Sequence, residues 1–237
     1  MTEQATSQRT WAARIWQQAR HATWANRWPA LWLQVFGVAL LLSYYWLPAT
    51  AGIWDTVSHW KSHWGIGFAI VSTAIAGGLV PFCAQGLQRG KRPDYRLSSL
   101  VFAVGFWAAK GIEVDLLYTV QTRIWGDEPT LFVIIAKVLG DQLIYAPLIA
   151  VPDMLLGFAW KEHGYSFRRL WRAMSWRWFI DRAAPLTVMN WLVWIPAVAM
   201  IYLLPLPLQL PAQNLVLCFW SLVLLVAISP PDTPSTD

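Results

Sequence analysis

Charge is what this chain has least of. It carries 18 Lys and Arg and 13 Asp and Glu among 237 residues, or 13 %, against about 25 % in an average soluble domain. Apolar residues make up 57 % and mean hydropathy is +0.40. Disorder is excluded, since it requires low hydropathy and high charge. A water-soluble globule is disfavoured, because so few polar groups cannot cover its surface. Cysteine is nearly absent: Cys83 and Cys218 both lie in apolar stretches, which excludes a disulfide framework. Only four His occur and none lies in an apolar run, so a bis-His haem is excluded. The chain has no P-loop, no GxSxG and no HExxH. Asp55, His59 and His63 would share one face of a helix, but no third His or Cys joins them as zinc would need. Gly140-Asp141 is half of an intramembrane aspartyl-protease pattern, with no second Asp in the right context. No catalytic residue, cofactor or metal is therefore expected, and the chain is read as a non-enzyme.

Long apolar runs are what it does have. A bilayer requires roughly 20 mostly apolar residues per helix, and six stretches qualify: 30–47, 65–88, 97–121, 130–160, 185–204 and 211–228. The expected fold is all-α, a polytopic membrane helix bundle of about six spans. A basic, Trp-rich interfacial segment (1–29) precedes it and a short polar tail (229–237) follows. The last two spans are joined by Pro205-Leu206-Pro207-Leu208-Gln209-Leu210-Pro211, whose three prolines imply a tight helical hairpin. Ala49-Thr50-Ala51 resembles a signal-peptide cleavage site. Because 29 residues precede the first apolar run and the run holds Trp32, Tyr44, Tyr45 and Trp46, an uncleaved first helix is expected.

The basic residues sort by segment. Arg9, Arg14, Arg20 and Arg27 precede span one; Arg89, Lys91, Arg92 and Arg96 lie between spans two and three; Lys161, Arg168, Arg169, Arg172, Arg177 and Arg182 lie between spans four and five. The alternate segments hold only Lys61 and Arg123. Fourteen against two, by the positive-inside rule, puts both termini in the cytoplasm or on the matrix-like side. The net charge of +5 is thus topological, and no nucleic-acid partner is expected.

Tryptophan, 18 residues, is favoured at headgroup level, with its ring in apolar surroundings and its N–H reaching water. Trp11, Trp16, Trp24 and Trp28, then Trp54, Trp60 and Trp64, then Trp160, Trp171, Trp176 and Trp178 fall at such belt positions. Within 167–178, Leu170, Trp171, Met174 and Trp178 share one helical face and the arginines extend from the other. This predicts a helix in the inner interface, with Arg168, Arg169, Arg172 and Arg177 attracted to anionic lipid headgroups.

Ionisable residues inside spans are costly and face protein or water. Span three holds Lys110, Glu113 and Asp115; span four holds Lys137, Asp141 and Asp153. In an antiparallel helix pair, residues at equal depth have numbers adding to a constant. Lys110 with Asp141 and Glu113 with Lys137 satisfy one register to within a residue. The two opposite-sign pairs either fix that register as a closed network or, with Gln142, Asp115, Gln121, Tyr118 and Tyr145, line a polar cavity. Span four would be about 46 Å long as a straight helix. Pro147 and Pro152 should kink or break it, with Asp153 capping the restarted turn. In span two Gly65, Ala69, Thr73 and Gly77 form a small stripe that suits close helix packing.

Residues 137–147, Lys-Val-Leu-Gly-Asp-Gln-Leu-Ile-Tyr-Ala-Pro, resemble a motif of the Mpv-seventeen/peroxisomal membrane protein twenty-two family, where a Lys, then Asp-Gln, then a Pro open a span at the same spacing. Tyr118-Thr-Val-Gln-Thr-Arg123 is similar to the Tyr-x-x-Leu-x-Arg that ends the family's preceding helix. Trp194-Ile-Pro196, Pro205 and Trp220-Ser221 stand roughly where that family has Trp-Pro, a later Pro and Trp-Asn. The resemblance covers about 98–229, leaving the first span as an addition. It implies a small channel-like or membrane-homeostasis protein and carries over no catalytic residue. Its location would be the inner membrane of a bacterium, or the mitochondrial inner or peroxisomal membrane of a eukaryote. The alternative is a non-transporting structural or assembly subunit. Expected partners are membrane lipids and either further copies of the chain or a larger membrane complex.

The register makes a prediction. A buried ion pair is strongly destabilising when halved, so Asp141→Ala should lower the yield of folded protein and Lys110→Ala added to it should restore part. A double variant recovering no more folded protein than the single, by size-exclusion chromatography in detergent, would reject the pairing.

Overall fold

The structure is a computed structural model that describes residue 24, residues 27–87 and residues 92–227. Most of the expected basic N-terminal segment, Arg89 and Lys91, and the tail 229–237 lie outside the described residues. Among those described, all regular structure is helical. The elements are α1 (Arg27–Trp46), a 3-10 turn (Pro48–Thr50), α2 (Ala51–Trp64), α3 (Ile66–Leu87), α4 (Leu97–Trp125), α5 (Leu131–Glu162), α6 (Phe167–Ala173), α7 (Trp176–Ile201) and α8 (Leu206–Ala227). By length and composition, α1, α3, α5 and α7 are each able to cross a membrane.

The chain forms two compact units. One comprises the described residues through Gln34 with Glu128–Leu203, and the other Val35–Asp127 with the described residues from Leu204. In the second unit α3 and α4 pack closely. Ala69 and Thr73 are buried, and a Cβ on Gly111 would overlap the carbonyl oxygen of Ala69 and stand 2.9 Å from Thr73 Oγ1. A Cβ on Gly77 would overlap the Trp107 ring, and one on Gly78 would lie 2.9 Å from the carbonyl oxygen of Ala103. The small stripe is thus a helix contact, as its spacing suggested. Gly65 does something else: its φ of 52° turns the chain between α2 and α3, a conformation that a side chain disfavours.

Four local expectations are corrected. The fifth span was expected to start at 185, but α7 starts at Trp176, where Ser175 accepts from Trp178 N–H at 3.1 Å, and Pro185 lies inside it. An interior proline removes one donor without ending a helix whose faces are otherwise satisfied. The sixth was expected at 211, but α8 starts at Leu206; Pro207 falls in the first turn, where the N–H has no helical partner anyway. Span four was expected to kink or break at Pro147 and Pro152, with Asp153 capping a restarted turn. It does not break: the chain widens into a π-helical stretch, Gly140–Ala150, inside a continuous α5, and no side chain caps Ala150. Finally, Trp54 is no belt residue, since it is buried and its indole N–H donates to Ser43 Oγ at 3.2 Å.

The packing predicts opposite outcomes for one substitution on one helix. Gly105→Ala on α4, where a Cβ meets nothing within 4 Å, should stabilise by up to about 1 kcal/mol through helix propensity. Gly111→Ala should destabilise by about 1–3 kcal/mol through overpacking. Thermal unfolding in detergent compares them.

Candidate functional site

On α5 the polarity is inverted. Lys137, Asp141 and Gln142 are buried, with Lys137 only 1 % exposed, while Phe132, Leu143, Ile144 and Leu148 are exposed. The buried positions run Val133, Lys137, Asp141 at intervals of four, then Asp141, Ala146, Val151 at intervals of five. That change is the π register: Val151 N–H donates to Ala146 O, five residues back. The wider turn keeps one face pointing inward past Pro147 and brings the neighbours Asp141 and Gln142 both into the interior.

A hydrogen-bonded network converges on Asp141. Tyr202 Oη donates to Asp141 Oδ2 at 2.9 Å and Gln142 Nε2 donates to Oδ1 at 3.0 Å. Gln142 Oε1 in turn accepts from Asn190 Nδ2 at 3.1 Å. Lys137 Nζ lies 5.7 Å from the centroid of the Tyr202 ring, within cation–π range. One further bond answers the proline. In a five-residue register, the missing N–H of Pro147 deprives the carbonyl of Gln142 of its donor, and Trp191 Nε1 fills that position at 2.6 Å.

Two ion pairs of the other unit involve α4. Lys110 Nζ and Glu113 Oε1 lie 2.6 Å apart on one turn of α4. Asp115, expected with the polar core, pairs with Lys61 of α2 at 2.9 Å, and both side chains are largely buried. Amides of α8 add further polar contacts in this unit. Asn214 accepts from Thr73 Oγ1 at 3.0 Å and donates to Ser72 Oγ at 2.9 Å, while Tyr118 Oη donates to Gln213 Oε1.

The residues expected to form the polar core belong to two different units of the chain. Lys137, Asp141 and Gln142 meet in one unit, and Lys110, Glu113 and Asp115 lie along α4 in the other. Tyr145 is half-buried and Gln121 buried. Sequence reasoning missed Lys61, counted only as a loop charge, and Asn190, Trp191, Tyr202, Gln213 and Asn214. The available signal was an amide or phenol inside an apolar helix, which must find a partner when water is absent.

The basic connection also differs from expectation. Residues 167–178 are not one helix: α6 ends at Ala173, and Trp178 belongs to α7. Leu170 is buried whereas Trp171 is exposed. Of the kink residues, Pro147 lies in the π stretch and Pro152 in the first turn after it. His59 and His63 stack with centroids 6.1 Å apart on α2, and no group of three potential ligands occurs among the described residues.

Removing a donor from the network should cost about 1–3 kcal/mol, the penalty of an unsatisfied buried acceptor. Trp191→Phe and Tyr202→Phe should both lower the unfolding temperature in detergent, and Trp176→Phe, at an exposed ring, should leave it unchanged. No family model, curated protein or solved structure matches this chain.

Proposed function

We propose that this chain is an integral membrane protein with a channel-like function, in which α1, α3, α4, α5, α7 and α8 all cross the bilayer and both termini share the side of the basic connections. One observation carries the membrane reading: α5 buries Lys137, Asp141 and Gln142 while exposing Leu143, Ile144 and Leu148. That distribution is costly in water and favourable in lipid. Helix α4 carries charges mid-length, but at 29 residues it is about 43 Å long, ample for a bilayer. The channel-like reading is supported by ionisable groups at depth, Lys110, Glu113, Lys137 and Asp141, a residue class that marks solute or ion pathways in membrane helices. The resemblance of 137–147 to the Mpv-seventeen/peroxisomal membrane protein twenty-two family points the same way and would place the protein in a bacterial inner, mitochondrial inner or peroxisomal membrane.

A second reading, a non-transporting structural or assembly subunit, is favoured by a specific observation. Both oxygens of Asp141 accept hydrogen bonds, and Gln142 uses its amide nitrogen, amide oxygen and backbone carbonyl. A group so engaged has little capacity left for a passing solute.

Reconstitution in planar bilayers separates the two. Channel function predicts a conductance that changes severalfold in Lys137→Met or Asp141→Asn. No conductance in the wild-type protein, together with stable co-purification in a larger complex, would establish the assembly reading instead.

A further inference from the structure

The turn after α5 holds a basic helix in place. Gly164 and Tyr165 both take positive φ, 65° and 59°, and Tyr165 N–H donates to Trp160 O at 2.9 Å. The reversal lays Phe167 on the Trp160 ring, centroids 5.1 Å apart, with Tyr165 edge-on to the same ring at 5.2 Å. Ser166 caps α6 through Arg169 N–H, and Leu170 is buried. With Leu170 inward, the 100° step of a helix puts Arg168 and Arg172 on the far side and Phe167 and Trp171 along one flank.

The resulting surface combines two chemistries. Trp171 and Trp176 are 75 % and 77 % exposed, and Arg168, Arg172 and Arg177 are exposed as well. Among the described residues these three arginines make no ion pair. Arg169 is exposed too, but its guanidinium lies against Gly164 of the turn. From 161 to 182 there are six basic residues and only Glu162 and Asp181 to oppose them. Guanidinium groups bind phosphate oxygens bidentately, and exposed indoles favour the headgroup layer. The helices on either side of α6, α5 and α7, are both long and apolar enough to cross a membrane. The surface thus lies on α6 and the first turn of α7, at the end of one such helix and beside another, where phospholipid headgroups are found.

We propose that this surface binds the phosphate headgroups of anionic phospholipids, with Arg168, Arg172 and Arg177 as the phosphate ligands and Trp171 and Trp176 seated among the headgroups. The inference rests on the membrane reading but not on conduction. The test uses the full chain in mild detergent, offered equal mole fractions of phosphatidylglycerol and phosphatidylcholine, with retained lipids counted by native mass spectrometry. The wild-type protein should retain phosphatidylglycerol preferentially. At about fivefold per arginine, R168Q/R172Q/R177Q should lower that retention roughly a hundredfold and leave phosphatidylcholine unchanged. R169Q should change it less than about twofold, and raising salt from about 0.05 to about 0.5 M should weaken the wild-type preference. Equal phosphatidylglycerol retention by the triple variant and the wild type overturns the proposal, as does a loss in R169Q as large as in the triple variant. An RNA oligonucleotide that displaces phosphatidylglycerol from the wild type, and is itself lost in the triple variant, assigns the arginines to nucleic acid and also overturns it. Retention of neither lipid by the wild type overturns the membrane reading along with it.

Discussion

The carboxylate of Asp141 stands inside an apolar helix, and much of one unit is organised by the need to satisfy it. An ionised group away from water is stable only when partnered and hydrogen-bonded. Tyr202 and Gln142 supply one donor each, Asn190 holds Gln142 in place, and Lys137 supplies positive charge nearby. The π stretch serves the same end. Widening the helix lets Asp141 and Gln142, adjacent in sequence, both face inward, and it moves the carbonyl orphaned by Pro147 to where the Trp191 indole reaches it. Helix geometry, proline chemistry and the buried charge are one arrangement here.

The second unit applies the same constraint to packing. Its α3 also passes through a π stretch, Ala74–Leu79, just before Pro81, with Val80 N–H donating to Ile75 O. Small residues along α3, Ala69 and Thr73 among them, bring it close enough to α4 that Gly111 has no room for a methyl group. Polar contacts then add direction that apolar packing lacks. Thr73 and Ser72 of α3 engage Asn214 of α8, and Lys61 of α2 engages Asp115 of α4. Buried pairs of this kind contribute little net stability over apolar packing but are costly to halve. Their effect is to select one arrangement of helices over its near equivalents.

Charge is therefore divided between two roles. Lysines and carboxylates buried within helices are engaged with one another or with hydroxyls and amides. Arginines on α6 and the first turn of α7 stay exposed, three of them without an ion pair among the described residues, beside exposed indoles. Buried Lys has a compact head that one carboxylate can satisfy, while the planar guanidinium suits phosphate at a wet interface.

Helical class, the long apolar runs and the polar positions on α4 and α5 were determined by the sequence alone. They follow from composition and from the length an apolar helix needs, both properties of contiguous residues. The small stripe of α3 was equally legible, because spacing along one helix defines its face. What only the tertiary structure decided were the partners. Nothing local marks Lys61 for Asp115, or Tyr202 and Trp191 for Asp141 and Gln142, since these contacts span about 50 to 60 residues and depend on how helices meet. Helix ends escaped for a related reason: Pro147, Pro185 and Pro207 are breakers by local rule, yet each lies within a helix because a π turn or a first-turn position accommodates its missing N–H, or because the helix is otherwise satisfied. Sequence shows which groups cannot be left alone in an apolar interior, and only the assembled helices show which group answers each.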